Sequence, residues 1–269
     1  MLVVYAVLPF IIFFNLARAS FGPDATVGLG IVYAALAVVA IAARFIAARM
    51  HLSRMSTGAL INASVMGNSG YLGLPLTVVL LGVASIDEAI LFDTMVATPL
   101  LFIGGAAVGA AFGTEGGDTS KDRLKAFFLR NPPLWAAIAG FLAPGWLAPD
   151  ALVNVSHFLI VVMLPIGFFA VGTALVEERT ESGPDRPDRG AVAAAVALKI
   201  AVAPALLVAF AMPFIDLPDV YLLLMAMPCG INSLISAHLF GLDHRLTATA
   251  IAWSTSIVVA ASLVAVAIR

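Results

Sequence analysis

The sequence predicts an all-α protein that crosses a membrane many times. Three observations predict it: the composition, the length of the apolar runs, and the side of those runs on which Lys and Arg fall. Of the 269 residues, 62% are apolar and 11% charged, where a soluble domain carries about 25% charged residues. A globule in water needs a wet surface that this composition does not provide, and lipid removes that need. The net charge of −2 points to no polyanion and no nucleic-acid partner. Cys229 is the one cysteine, so an intrachain disulfide is excluded.

A helix needs roughly 20 apolar residues to cross the hydrocarbon core. Nine runs qualify, at about 2–18, 26–49, 57–83, 88–112, 132–147, 151–176, 190–212, 218–241 and 245–268. Helix is the open-chain structure that satisfies its own backbone in lipid. Ala17-Arg18-Ala19 resembles a signal-peptide cleavage site. No Lys or Arg precedes the apolar run, however, and a signal needs a positive n-region, so the first run reads as a retained span.

Lys and Arg then orient the spans. Arg49 and Arg54 follow the second, Lys121, Arg123, Lys125 and Arg130 the fourth, Arg179, Arg186 and Arg189 the sixth, and Arg245 the eighth. These loops share one face if every run crosses. The other face receives Asp24, Asp87, Glu88, Asp150, Asp216 and Asp219, with Arg18 and Arg269. The positive-inside rule puts the N-terminus in the cytoplasm and the C-terminus outside, with the cell membrane as the location. The loops 113–131 and 177–190 read as solvated linkers.

The chain echoes itself. Val7-Leu8-Pro9-Phe10 in the first span is matched by Met163-Leu164-Pro165-Ile166 in the sixth. The third span then reads Gly67-Asn68-Ser69-Gly70-Tyr71-Leu72-Gly73-Leu74-Pro75, and the eighth Met227-Pro228-Cys229-Gly230-Ile231-Asn232-Ser233. Each of these runs ends in Gly, at Gly82 and Gly241. Proline removes a helix donor and clashes with the preceding turn, and glycine costs roughly 1 kcal/mol in a helix interior. Breaks in mid-membrane free N–H and C=O groups, which must face protein or a wet cavity. One break reads as well as a packing kink. Two at corresponding positions, each with Asn and Ser, point to a transporter's binding site, because half-helix N-termini offer positive ends to an anion.

The repeat divides the chain into residues 1–113, a loop 114–131, and residues 132–269. The second part holds five spans and the first four, so a five-plus-five arrangement needs one more helix before residue 1. The odd offset makes the repeat inverted.

Candidate substrate-binding residues are Asn68, Ser69, Gly70, Pro75, Pro228, Gly230, Asn232 and Ser233. No catalytic group, metal site or cofactor is read from the sequence. Lys199 lies mid-span, where a Lys costs roughly 2.5–3.5 kcal/mol on insertion scales, and reads as a charge partner or anion attractant rather than a snorkelling side chain. Asp93 reads as an ion or proton site or as a membrane-boundary hydrogen-bonding group. His238 reads as a helix-end histidine or a coupling group, and His157 as an outer-interface residue.

At Val7–Leu16, Gly67–Leu76, Met227–Gly241 and Asp243–Thr255, with Lys199 followed by Pro204, the chain resembles the auxin efflux carrier family. That family includes the plant PIN proteins and bacterial organic-acid permeases. The resemblance covers most of the chain. It implies a ten-helix inverted-repeat fold like that of bile-acid symporters and sodium/proton antiporters, here without the first helix. Two broken helices would cross at mid-membrane with Pro75 and Pro228 as crossover prolines and Asn68 near the substrate carboxylate. It also implies a scaffold domain that often forms a homodimer contact.

The function expected is secondary transport of a small organic anion, a carboxylate that is auxin-like or a dicarboxylate, by elevator-like or rocking alternating access, with room for sodium or proton coupling. Three other readings stay open. One is a sodium- or proton-coupled antiporter or symporter of the same fold, although antiporters usually carry paired acids beside the breaks and this chain has none. Another is a non-transporting receptor or scaffold. The third is an intramembrane serine protease, with Gly67-Asn68-Ser69-Gly70 as nucleophile motif and His157 or His238 as base. That reading leaves the second break and the repeat unexplained.

Overall fold

Among the described residues helix accounts for the regular structure, apart from one isolated bridge between two extended residues. The computed structural model describes residues 7–18, 23–97, 99–114, 132–159, 162, 169, 172–173 and 187–268. Much of the Met163–Phe169 motif, and the basic residues Lys121 to Arg130, Arg179 and Arg186, lie outside the described residues.

The first helices are α1 (Leu8–Arg18) and α2 (Pro23–Arg49). The third run is interrupted: α3 (Arg54–Val65) ends, the chain extends through Met66, and helix resumes as a wide π turn at Ser69–Gly73 leading into α4 (Leu74–Leu81). The fourth run is not one regular helix. It comprises α5 (Ile86–Phe92), π turns at Asp93–Ala97 and Leu100–Gly104, and α6 (Gly105–Phe112). Next come α7 (Pro132–Leu142) and α8 over residues 150–159. The seventh run is α9 (Arg189–Ala197), a π turn at Leu198–Val202, and α10 (Ala203–Ala211). The eighth breaks between α11 (Asp219–Met225) and α12 (Ile231–Phe240), and α13 (His244–Ile268) is the last helix described.

Length and hydropathy alone single out Val27–Arg49, Arg189–Ala211 and His244–Ile268 as helices able to cross a membrane. The broken runs do not meet such a criterion, since neither half of each is long enough. The π turns have a local cause at three places. Pro75 follows Ser69–Gly73, Pro99 follows Asp93–Ala97 and Pro204 follows Leu198–Val202, each by two residues. A helical proline collides with the carbonyl four residues back, and widening the preceding turn to an i→i+5 pattern relieves the clash.

Helix ends that the charge pattern groups together are in contact. Arg18 pairs with Asp150 at 2.6 Å and donates to the Ala148 carbonyl. At the other end, Arg54 donates to the Ala111 carbonyl and the Ser56 hydroxyl to Asp243. Gly241, in the left-handed region at φ 63°, closes α12.

Two bodies of packing emerge. One surrounds the breaks: α3 lies against α2, α9, α12 and α13. The other ties α1 to α7. In that second body Asn15, 1% exposed, donates to the Ser156 hydroxyl at 2.7 Å, and its Oδ1 lies 2.7 Å from His157 Nε2.

Candidate functional site

The two interrupted helices meet at their breaks. Gly67 and Cys229 face each other as an antiparallel pair. The Asn68 N–H donates to the Pro228 carbonyl at 2.9 Å, and the Gly230 N–H to the Met66 carbonyl at 2.8 Å. Four groups released by two helix breaks thus satisfy one another, as a low-dielectric surrounding demands. The approach is closest at Gly230, where a Cβ would stand 2.6 Å from the Gly67 oxygen. Only glycine fits there.

The antiparallel sense also pairs the helix ends. The carbonyl end of α3 lies at the amide end of α12, and the carbonyl end of α11 at the amide end of Ser69–Leu81. Each partial positive charge is therefore beside a partial negative one. Side chains complete the remaining groups. Lys199, 1% exposed, donates to the Met225 carbonyl at 2.6 Å, at the end of α11. The Ser254 hydroxyl, on α13, accepts from the Cys229 N–H at 3.0 Å. Ser233 donates to the Gly230 carbonyl at 2.6 Å. Asn62 on α3 donates to the Ser236 hydroxyl on α12 at 2.9 Å, binding the two broken spans side to side.

On the first broken span the polar partner is an acid. Ser69 donates its hydroxyl to Asp93 Oδ1 at 2.6 Å, and a Cβ on Gly70 would lie 3.3 Å from both carboxylate oxygens. The carboxylate thus adjoins the amide end of Ser69–Leu81. No acid stands in that relation to α12 among the described residues.

Several polar groups at the crossing are unused. Among the described residues, the side chains of Asn68 (4% exposed) and Asn232 (half-buried) find no hydrogen-bond partner. Asn62 Oδ1 is buried and unpaired among them as well. These open amides flank the bridge: Asn68 follows Gly67 directly, and Asn232 lies in the first turn of α12.

Of the residues singled out from sequence, the structure brings Asn68, Ser69, Gly70, Pro228, Gly230, Asn232, Ser233 and Lys199 to the crossing or its immediate helix ends, with Asp93 against Ser69 and Gly70. Pro75 sits in the first turn of α4, past the π turn. His238 lies near the far end of α12, bonded to the Leu234 carbonyl at 3.0 Å and stacked on His244. Ser254 and Asn62 were missed as site residues. Ser254's hydroxyl also donates to the Ala250 carbonyl one turn back, so in sequence it reads as an ordinary helix serine.

Among the described residues no histidine is bonded to the Ser69 hydroxyl. The Ser69 hydroxyl is given to Asp93, while His157 bonds Asn15 and His238 bonds its own helix. A base within reach of the hydroxyl is the first requirement of a serine nucleophile.

Comparison with known proteins finds a matching family and a relative. A family model described as membrane transport protein matches residues 120–266, more than half of the chain. An "Uncharacterized transporter" of Methanothermobacter thermautotrophicus is 30% identical over 131 residues, which is 48% of this chain and 41% of that relative. The chain thus spans less than half the length of that relative. The family match includes Lys199, the second break and Ser254, and leaves the first break and Asp93 outside it.

Proposed function

Because the chain belongs to the membrane transport protein family, that of the auxin efflux carrier-like transporters, we propose that it moves a small organic anion across the membrane by alternating access. The observation that carries this reading is the bonded crossing at Gly67 and Cys229, with the unpartnered amides of Asn68 and Asn232 on either side. Among the described residues no acid adjoins the amide end of α12, so a substrate carboxylate would have the two side-chain amides to bind, beside a helix end whose charge α3 only offsets. Carboxylates accept such bonds more strongly than neutral groups do.

The movement proposed is that of an elevator. The broken spans are tied together by the bridge, by Asn62 to Ser236, by Lys199 to Met225 and by Ser254 to Cys229. They would travel as one body past α1, α7 and α8; α1 packs on α7, and Asn15 and Arg18 join it to α8 and the turn before it.

Proteoliposome uptake of a panel of labelled mono- and dicarboxylates tests the reading, with Asn68→Ala beside the parent protein. A lost hydrogen bond to a charged group is worth about 1.5–3 kcal/mol. The expected result is a KM raised about ten- to a hundredfold at unchanged thermal stability. Normal affinity in an Asn68→Ala protein that has become unstable would overturn the assignment of Asn68. Absence of saturable uptake of any acid by folded parent protein would overturn the transport reading itself.

A further inference from the structure

We infer that Asp93 couples anion movement to protons, by holding one proton whenever the crossing holds an anion. The inference rests on the transport reading above and adds the coupling ion and the residue that carries it.

The geometry sets Asp93 apart from a carboxylate that merely ties two helices. One oxygen, Oδ1, takes the Ser69 hydroxyl. The other, Oδ2, takes no hydrogen bond among the described residues, and the side chain is only half-buried. Gly70 and Tyr71, beside it, are half-buried too. Oδ2 therefore borders accessible space, as a group that exchanges a proton with water must. An asparagine could tie the helices equally well without bringing a charge.

Among the described residues no cation pairs with Asp93. The ion pair of Arg18 with Asp150 lies at the ends of other helices. Lys199 spends its bond on Met225 and packs against the Gly67 position, three residues before Gly70. The titratable groups on the elements packed against Asp93–Ala97 are few. The π turn Ser69–Gly73 brings Tyr71. Helix α2 brings Tyr33, whose hydroxyl bonds the Met95 carbonyl, together with Asp24 at its start and Arg44 and Arg49 at its far end over Phe112 and Phe45. Helix α5 brings Asp87 and Glu88 at its outer end, and α11 brings Tyr221 against Phe92 and Asp219. Helix α7 brings none. Among the described residues the charge of Asp93 is thus met by the Ser69 hydroxyl and the amide end of Ser69–Leu81.

That helix end is part of the same crossing that would receive the substrate. In a medium of low dielectric two like charges near one site repel strongly. An ionised Asp93 therefore opposes entry of an anion, and a protonated one admits it. The proton binds Oδ2 from the side the site faces, travels with the substrate carboxylate, and leaves to water on the other side. One proton moves with one negative charge and no other reactant is required. Intramembrane acids serve in this way in other carriers.

The experiment uses proteoliposomes with labelled malate and labelled indole-3-acetate as probes. The parent protein is expected to accumulate a probe against its gradient when the outside is acidic. In Asp93→Asn, gradient-driven accumulation should fall about tenfold, while exchange of probe at equal pH on both sides stays within about threefold of the parent. Ser69→Ala keeps the acid but removes the bond that favours its ionised form, so the pH profile of uptake should move to higher pH by about one unit. Asp93→Asn that accumulates probe like the parent, or Ser69→Ala with an unmoved profile, would overturn the inference while leaving the transport reading intact. Exchange of neither probe by folded parent protein would defeat both together.

Discussion

The two helix breaks share a backbone and differ in chemistry. Each has a short extended stretch that lends one N–H and one carbonyl to the other. Around the first, the partner of the resumed helix is a carboxylate, Asp93 through Ser69. Around the second, the partners are hydroxyls, Ser233 and Ser254, and a lysine that closes the helix before the break rather than the one after it. The paired breaks supply a scaffold with compensated helix ends. The unequal side chains then assign one end to a titratable acid and leave the other, at α12, for an external anion.

The glycines of the bridge give the sharpest way to break that equivalence. At Gly230 an added methyl group would meet backbone, the Gly67 oxygen at 2.6 Å and its carbon at 2.8 Å. At Gly67 it would meet the end of Lys199, Cε at 3.0 Å and Nζ at 3.2 Å, a side chain that needs to shift only slightly and can keep its bond to Met225. Gly230→Ala is expected to force the breaks apart, lowering stability by about 1–3 kcal/mol and abolishing uptake. Gly67→Ala should cost a fraction of that. Thermal unfolding in detergent beside uptake measures both, and equal effects would deny that the close approach is one-sided.

Lys199 ranks next. Sequence left its role between charge partner and anion attractant, and the structure gives it a defined bond to the Met225 carbonyl. Lys199→Met leaves that carbonyl buried and unpaired, at about 1–3 kcal/mol. Melting temperature should fall while the KM of the remaining folded protein stays near the parent value. A raised KM with unchanged melting would mean that the ammonium attracts substrate instead.

Much of this was legible before any coordinates, and the physical reason is specific. Gly, Pro and Asn at Gly67–Pro75 and Pro228–Asn232 interrupt apolar runs, and interruptions in lipid need partners. The pairing itself left no trace, because one residue bridging one residue has no periodicity to detect. The irregularity of the fourth run went unread, although Pro99 marks it: the apolar residues of Asp93–Ala97 and Leu100–Gly104 read as plain helix. The regular helices α2 and α13 matched their expected runs closely. The echo of Pro9 in Pro165 falls outside the described residues.

Ser254 offers the smallest and most discriminating effect. Its hydroxyl accepts the Cys229 N–H, the one polar partner that the second break draws from α13. Water can replace such a partner only if the crossing is wet on that face, and Ser254 is fully buried. Ser254→Ala should therefore cost about 1 kcal/mol, seen as a modest drop in melting temperature. The same change should leave the pH dependence of uptake alone, since Ser254 bonds Cys229 and its own helix while Asp93 bonds Ser69 at the other break. Ser69→Ala removes a hydroxyl of the same size from the first break and should shift that pH dependence. If both serines moved the pH profile alike, the two breaks would be chemically equivalent, and the division of labour between them would have no basis.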